Sequence, residues 1–223
     1  MSDLAFTSDW HLGHKRILEL GNGRPFASIE EHDAAIIENV NKKFPKGRLY
    51  FTGDLCFGGS ERIAEVLRQI KAEFFWIRGN HDPKKLKPEV AAHVAWFGDY
   101  KEIHQEGQYI VLSHFPFLTW HKAHYGAWMI HGHSHNNLAP TTQPRVDCGV
   151  DGHNFEPWTY EEMQELMTSR SYSGVDHHDE DKSFTKAQAL DQTMLYLAER
   201  VPGQVDAGDL LDKISTTLHG SEG

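Results

Sequence analysis

Metal-ligand side chains recur at five places along this chain, each just after a short apolar run. Asp9-Trp10-His11 follows Leu4-Ala5-Phe6-Thr7, and Gly53-Asp54 follows Leu49-Tyr50-Phe51-Thr52. Gly79-Asn80-His81-Asp82 follows Phe74-Phe75-Trp76-Ile77, His114 follows Tyr109-Ile110-Val111-Leu112-Ser113, and Gly132-His133-Ser134-His135 follows Trp128-Met129-Ile130-His131. Aromatic and β-branched runs bounded by glycine read as strands. Capping signals place helices between some of them. Ser28-Ile29-Glu30-Glu31 is a capping box ahead of Ile36, Ile37, Val40 and Phe44 at helical spacing. Ser60 is expected to cap a second helix that buries Ile63, Val66, Leu67 and Ile70, and Thr159-Tyr160-Glu161-Glu162 opens another through about Met167. Strands alternating with helices imply an α/β fold, in which ligands gather at the carboxyl ends of strands. The five motifs lie at those ends.

A chain of 223 residues holds one sizeable domain with room for a small appendage. Residues 1–168 are expected to form that domain and 169–183 a charged linker containing Asp176-His177-His178-Asp179-Glu180-Asp181-Lys182. Residues 184–223 carry two amphipathic faces, Ala187, Leu190, Met194, Leu197 and Val201, then Ala207, Leu210, Leu211, Ile214 and Leu218. Pro202-Gly203 separates them, so a helical hairpin is expected, docking on the domain or joining copies into a homo-oligomer. No apolar run is long enough to span a bilayer, and the N-terminus lacks the regions of a signal peptide. With two cysteines, Cys56 and Cys148, reduced thiols in the cytoplasm are the simplest expectation. A formal net charge of -10 argues against a protein that grips duplex DNA through its phosphates. Six of the 16 histidines fall between His114 and His135, so their excess is local.

Carboxylates, imidazoles and an amide oxygen, without thiolates, suit manganese, iron, cobalt, nickel or zinc. Two such ions roughly 3.5–4 Å apart can clamp the attacking and leaving oxygens of a phosphoryl displacement. A bridging carboxylate and a bridging water, ionised near neutral pH, would complete the centre. A nearby imidazole would protonate the leaving alkoxide.

The motifs together resemble those of the calcineurin-like metallophosphoesterase superfamily, in its order and over residues 3 to about 165. The resemblance implies a four-layer α/β/β/α sandwich, two mixed sheets flanked by helices. It implies Asp9, His11 and His135 on a first metal, Asn80, His114 and His133 on a second, and Asp54 bridging the two. His81 matches the histidine that contacts substrate phosphate and acts as general acid, and Asp82 the carboxylate that orients it. The segments Asp9 to His14, Arg24-Pro25-Phe26, Asp33 to Asn41, Ser113 to Pro116 and Val146 to Trp158 also resemble a group of small bacterial and phage phosphoesterases. Trp10 departs from that group, where a smaller residue is usual, as does the helical tail.

His14, Arg24 and Arg78 are candidates for binding a substrate phosphate. Trp120, with His121, His124 and Tyr125, forms an aromatic loop suited to stacking on a nucleobase. His131 reads as a strand-end residue and Cys56 as a packing residue. The implied activity is hydrolysis of phosphate mono- or diesters of small molecules, nucleotides first, using two divalent ions, manganese first. A nuclease acting on single-stranded or short nucleic acid is the alternative enzyme, and a metal-bound, non-catalytic scaffold the alternative outside catalysis. A protein phosphatase is disfavoured by Leu55-Cys56-Phe57 after Gly53-Asp54. A lipid-sugar diphosphate hydrolase is disfavoured by His81, where those relatives carry arginine.

Overall fold

The computed structural model describes residues 3–20 and 23–172. The expected hairpin, and the linker from residue 173 on, lie outside the described residues. The strands are β1 (Leu4–Thr7), β2 (Arg48–Phe51), β3 (Glu73–Ile77), β4 (Trp96–Gly98), β5 (Tyr100–Gln105), β6 (Gln108–Ser113), β7 (Trp128–His131), β8 (Arg145–Asp147) and β9 (Trp158–Thr159). The helices are α1 (Ile29–Lys43), α2 (Gly59–Gln69), α3 (Pro88–Ala91) and α4 (Tyr160–Thr168). One sheet runs β4-β3-β2-β1-β9, with β1 to β4 parallel and β9 antiparallel at the edge. The other runs β5-β6-β7-β8, parallel except for β5. This is the mixed two-sheet α/β fold that the motifs implied.

The caps explain where the helices begin. Ser28 Oγ accepts from the Glu31 amide at 3.1 Å, while Glu31 reaches back to the Ala27 amide at 2.8 Å, one residue earlier than a standard box. Thr159 and Glu162 form the full reciprocal box at the start of α4. Ser60 does not cap α2. The cap is Gly58, at φ 115°, a conformation glycine adopts without a Cβ penalty, and Ser60 lies inside the helix.

Alternation along the parallel strands sorts side chains between two apolar layers. Ala5, Leu49, Phe51, Phe74 and Trp76 face outward to Ile36, Ile37 and Val40 of α1 and Ile63, Ala64, Val66 and Leu67 of α2. Leu4, Phe6, Tyr50 and Ile77 face inward to Ile110, Leu112, Trp128, Ile130 and Val146 of the second sheet. Tyr160, Met163 and Met167 of α4 join this inner layer. Each such side chain, fully buried, is worth roughly 1.5–3 kcal/mol. The far face of the second sheet, Val111 and Met129, is covered by Trp120, Ala123 and Ala127, in and around a single 3-10 turn at Ala123–Tyr125. Past Thr168 the chain stays on the domain: the Ser171 amide donates to Thr142 and Tyr172 packs edge-on against Trp120.

Four strands carry no strong sequence signal. β5 alternates exposed and half-buried residues as an edge strand, and the turn joining it to β6 places Glu106 and Gly107 at φ 51° and 85°. That pair of positive angles suits a tight hairpin. β4, β8 and β9 are three, three and two residues long. Among the described residues, no helix is long and apolar enough to cross a membrane.

Parallel pairing continues past the strands, through Asp9 N to Gly53 O and His11 N to Asp54 O, both backbone bonds. The carboxyl ends of β1 and β2 therefore travel together into the site. Gly53 sits at φ 107°, and a Cβ there would lie 2.5 Å from His114 Nδ1 and 2.7 Å from the Gly79 backbone. Gly53→Ala is expected to destabilise the domain by about 2 kcal/mol or more, measured as a fall of roughly 2–4 °C in Tm per kcal/mol.

Candidate metal centre

The strand ends bring all seven expected ligands together. His11 Nε2 faces His135 Nε2 at 3.2 Å and lies 3.9 Å from Asp9 Oδ1 and 3.6 Å from Asp54 Oδ2. His114 Nε2 lies 3.6 Å from the same Asp54 oxygen and 2.8 Å from Asn80 Oδ1, which is also 3.0 Å from His133 Nδ1. Asp9, His11 and His135 form one group with ion-binding geometry, and Asp9, Asp54 and His114 form another. Asp54 thus stands between two sets of donors.

The local backbone is bent to achieve this. Asp9, His11, Asp54, His133 and His135 all have positive φ, between 48° and 70°, the left-handed region costly for residues with a Cβ. Each takes a tight turn directly after its strand. Gly132 permits the closest approach, since a Cβ there would lie 2.0 Å from Ser8 Oγ and 2.5 Å from Asp9 Oδ2. Its neighbour His133 donates its amide to Asp9 at 3.0 Å, joining the ends of β7 and β1.

The hydrogen bonds fix where the lone pairs point. The Thr52 carbonyl only accepts, so its 2.8 Å contact takes a proton from His114 Nδ1. The Nε2 lone pair of the neutral ring then faces the Asn80 oxygen and the Asp54 carboxylate. In the same way His135 Nδ1 donates to Asp151 at 2.8 Å and turns Nε2 toward His11. Burial holds the His11 pKa down at about 2 and that of His114 at about 4, so both stay neutral and able to ligate. Burial would also lower His135, but the Asp151 hydrogen bond and the Asp9 charge raise it. Asp9 is pushed well up by burial and then by the Asp147 carboxylate, and Asp54 is raised by burial. Neither carboxylate pairs with a lysine or arginine among the described residues. Electron-rich atoms facing one another at these distances fit divalent cations, and the nitrogen-and-oxygen donor set fits the borderline metals.

A second ring of contacts holds the first. Arg24 is buried and uses every guanidinium N–H. Its Nε and Nη2 clasp Asp151 at 2.8 Å each, Nη2 also donates to Asp9 O, and Nη1 donates to Trp10 O and His32 Nε2. His32 passes its Nδ1 proton to Asp33, which also accepts from Gly13 N and Arg62. Arg24, expected to bind substrate phosphate, thus has its N–H groups committed within the protein, to the Asp151 that holds His135 and to the Asp9 loop. Trp10 is packed in the outer apolar layer, with its indole N–H on Thr7 and its ring edge-on to Phe51 and Phe74.

Other expectations need correction too. Asp82 does not orient the His81 ring. It accepts from the amides of Asp54, Leu55 and Gly79 and from the Trp76 indole, and so holds the two ligand loops together. His81 is placed by its own amide, which donates to Asp54 Oδ1 at 2.9 Å, and its Nε2 lies 3.9 Å from Asp54 Oδ2. Arg78 is committed to Asp99 at 2.6 and 3.0 Å. Trp120 is buried behind the second sheet, its indole N–H on Ala127 O, so it cannot stack on a base. His14 remains beside the centre, stacked on Phe57 at 4.5 Å and 5.7 Å from the His11 ring. Sequence reasoning missed Asp151, Asp147 and His32. Asp147 and Asp151 lie in the segment Val146 to Trp158, whose resemblance to small phosphoesterases was the available signal.

Asp151→Asn is expected to weaken binding of one ion by about 10–100-fold and leave the second near its original affinity, as read by manganese titration calorimetry. Saturating manganese at 100 times Kd should stabilise the chelated protein by about 2.7 kcal/mol per site, raising Tm by several degrees in calorimetry.

The profile of the calcineurin-like phosphoesterase family matches residues 3–147. An uncharacterized protein of Methanocaldococcus jannaschii is 28% identical over 177 residues, covering 75% of this chain and 92% of its own. The gene 66 protein of Mycobacterium phage L5 is 27% identical over 183 residues, covering 68% of this chain and 87% of its own. A solved Aquifex aeolicus protein of unknown function, AQ665, shares the fold with a TM-score of 0.59 at 23% identity, over 73% of this chain and 98% of its own. The match of the family profile to most of the chain, on the strand-end motifs that build the cluster, establishes that this chain belongs to the calcineurin-like phosphoesterase family.

Proposed function

We propose that the protein hydrolyses phosphate mono- or diesters of small molecules, nucleotides first, with two divalent ions, manganese first, held at this centre. Asp9, His11 and His135 would hold one ion, Asn80, His114 and His133 the other, and Asp54 would bridge. The observation that carries this reading is the convergence of the His114, Asn80 and Asp54 donor atoms within 2.8–3.6 Å, with the imidazole proton turned away to Thr52. When bound, the ions supply charge neutralisation of the phosphate and an ionised water for attack.

The chain's own residues do the rest. His81 is half-exposed while Asp9, His11, Asp54 and His114 are buried, so its ring can meet a substrate that the ions hold. It is placed to give a proton to the leaving oxygen. Asp82 fixes the backbone on which both Asp54 and His81 ride. Asp151 and Arg24 fix the ring of His135. A nuclease would draw on a basic stripe of Lys15, Arg16 and Arg24, and of these Arg24 is buried and paired.

Chelated protein restored with manganese is expected to turn over p-nitrophenyl phosphate or bis-p-nitrophenyl phosphate. His81→Ala should lower kcat by about 10²–10⁴-fold with both ions retained, and Asp54→Asn should lose activity together with metal. Undiminished activity in metal-free protein, or in Asp54→Asn, would sink the reading.

A further inference from the structure

Two cavities flank the metal centre, and they differ in charge. The one beside His135, about 300 Å³, has Arg24 and Asp151 in its wall, but these neutralise each other. The one beside His81, about 410 Å³, is lined by Phe57, Ile63, Leu86, Lys85 and Lys87 as well as His81. Neither Lys85 nor Lys87 forms an ion pair within 4 Å among the described residues, and both are exposed. Lys84-Lys85-Leu86-Lys87 concentrates three cations in a chain of net charge -10. Of the acidic groups nearby, Asp54 sits 3.9 Å from His81 Nε2 within the ligand cluster, Asp82 has its oxygens consumed by inward-facing amides and an indole, and exposed Glu89 is influenced only weakly by Lys87. The Phe57 ring stands between the His14 and His81 rings, at 4.5 and 5.4 Å, linking the cavity wall to the reaction centre.

We propose that the His81 cavity receives the leaving group of the ester, and that this leaving group carries an anionic substituent on an apolar or aromatic body, as a phosphorylated nucleoside does. The inference rests on the phosphoesterase reading with His81 as general acid. In the hydrolytic step the oxygen of a water that has already released a proton to solvent bonds to phosphorus, and the P–O bond to the leaving group breaks with its electron pair going to the leaving oxygen. That oxygen takes a proton from His81, so the leaving group must sit against this ring. The cavity that shares the His81 ring is the one with unpaired cations. Phe57, Leu86 and Ile63 offer contact to the body, and Lys85 and Lys87 meet the added charge. The other cavity offers no unpaired charge, which suits the opposite side of the phosphate.

The test compares adenosine 3′-monophosphate with adenosine 3′,5′-bisphosphate on the manganese-loaded full chain, scoring release of the 3′ ester by product analysis. The two share the scissile bond, and their leaving groups differ by one phosphate. If the enzyme turns over bis-p-nitrophenyl phosphate but not p-nitrophenyl phosphate, the 3′-methyl esters of both take their place. The bisphosphate is expected to be favoured in kcat/KM by about tenfold, the scale of two partly exposed ion pairs. The preference should fall toward parity in the double variant Lys85→Ala/Lys87→Ala and at high salt. Both substitutions are at exposed side chains, so the variant is expected to fold. Parity in the unaltered protein, or a preference the double variant leaves intact, overturns the proposal. So does turnover of a nitrophenyl ester with neither nucleotide cleaved. No turnover of any ester with both ions bound would instead overturn the phosphoesterase reading beneath it.

Discussion

The structure depends on two buried carboxylates, Asp9 and Asp54, that no lysine or arginine among the described residues neutralises. Burying an unpaired carboxylate is costly. Here the cost is borne because each side chain is anchored by amides that only this arrangement of strand ends can present. Asp9 accepts from the His133 amide and Asp54 from the His81 amide. Each carboxylate therefore links a turn of its own sheet to a turn that carries another ligand. The parallel strands, the positive φ angles and the glycines at the closest approaches all follow from that demand. The raised pKa values of both groups are the same fact seen electrostatically: burial disfavours their negative charge, and the site favours positive charge between its donors.

The supporting ring shows how one arginine can replace several weaker contacts. Arg24 joins Asp151, His32 and two main-chain carbonyls, so α1, the loop after β1 and the segment after β8 meet at one guanidinium. Its planar fork, with five donors, suits this role as a lysine could not. The relay runs on through His32 and Asp33 to Arg62 on α2. The two helices that cover the first sheet are in this way tied to the ring of one metal-facing histidine. Asp82 does the equivalent on the other side, gathering three amides and an indole.

Much of this was legible in the sequence. The buried parallel strands read directly from Leu4-Ala5-Phe6-Thr7 and Phe74-Phe75-Trp76-Ile77, because a strand covered on both faces needs apolar side chains throughout. Ligand-type residues stood out by residue type and placement after those strands, and the family resemblance implied which of them share an ion. What stayed hidden depends on partners distant in the chain. Nothing local to Arg24 shows that Asp151 will neutralise it, and nothing in Trp120 shows which face of the second sheet it will cover. Asp82 lies next to His81 in sequence, yet its oxygens turn to the amides of another loop. β5 stayed hidden for a different reason: as an edge strand with Tyr100, Glu102 and His104 exposed, it lacks the continuous apolar run of its neighbours.

The left-handed backbone at five of the seven ligand positions has a consequence for how this protein responds to damage. Each of these residues holds a conformation that its own Cβ resists, in a pocket crowded with like-charged or lone-pair atoms. The centre is therefore a place where local backbone preference opposes the fold, and the rest of the domain carries the load. At the three histidines among them, glycine would remove the resistance and part of the crowding in one step, against a modest entropic cost in the unfolded chain. A catalytically dead variant of that kind could outlast the native chain on heating, so thermal robustness would be a misleading guide to whether a natural relative still works.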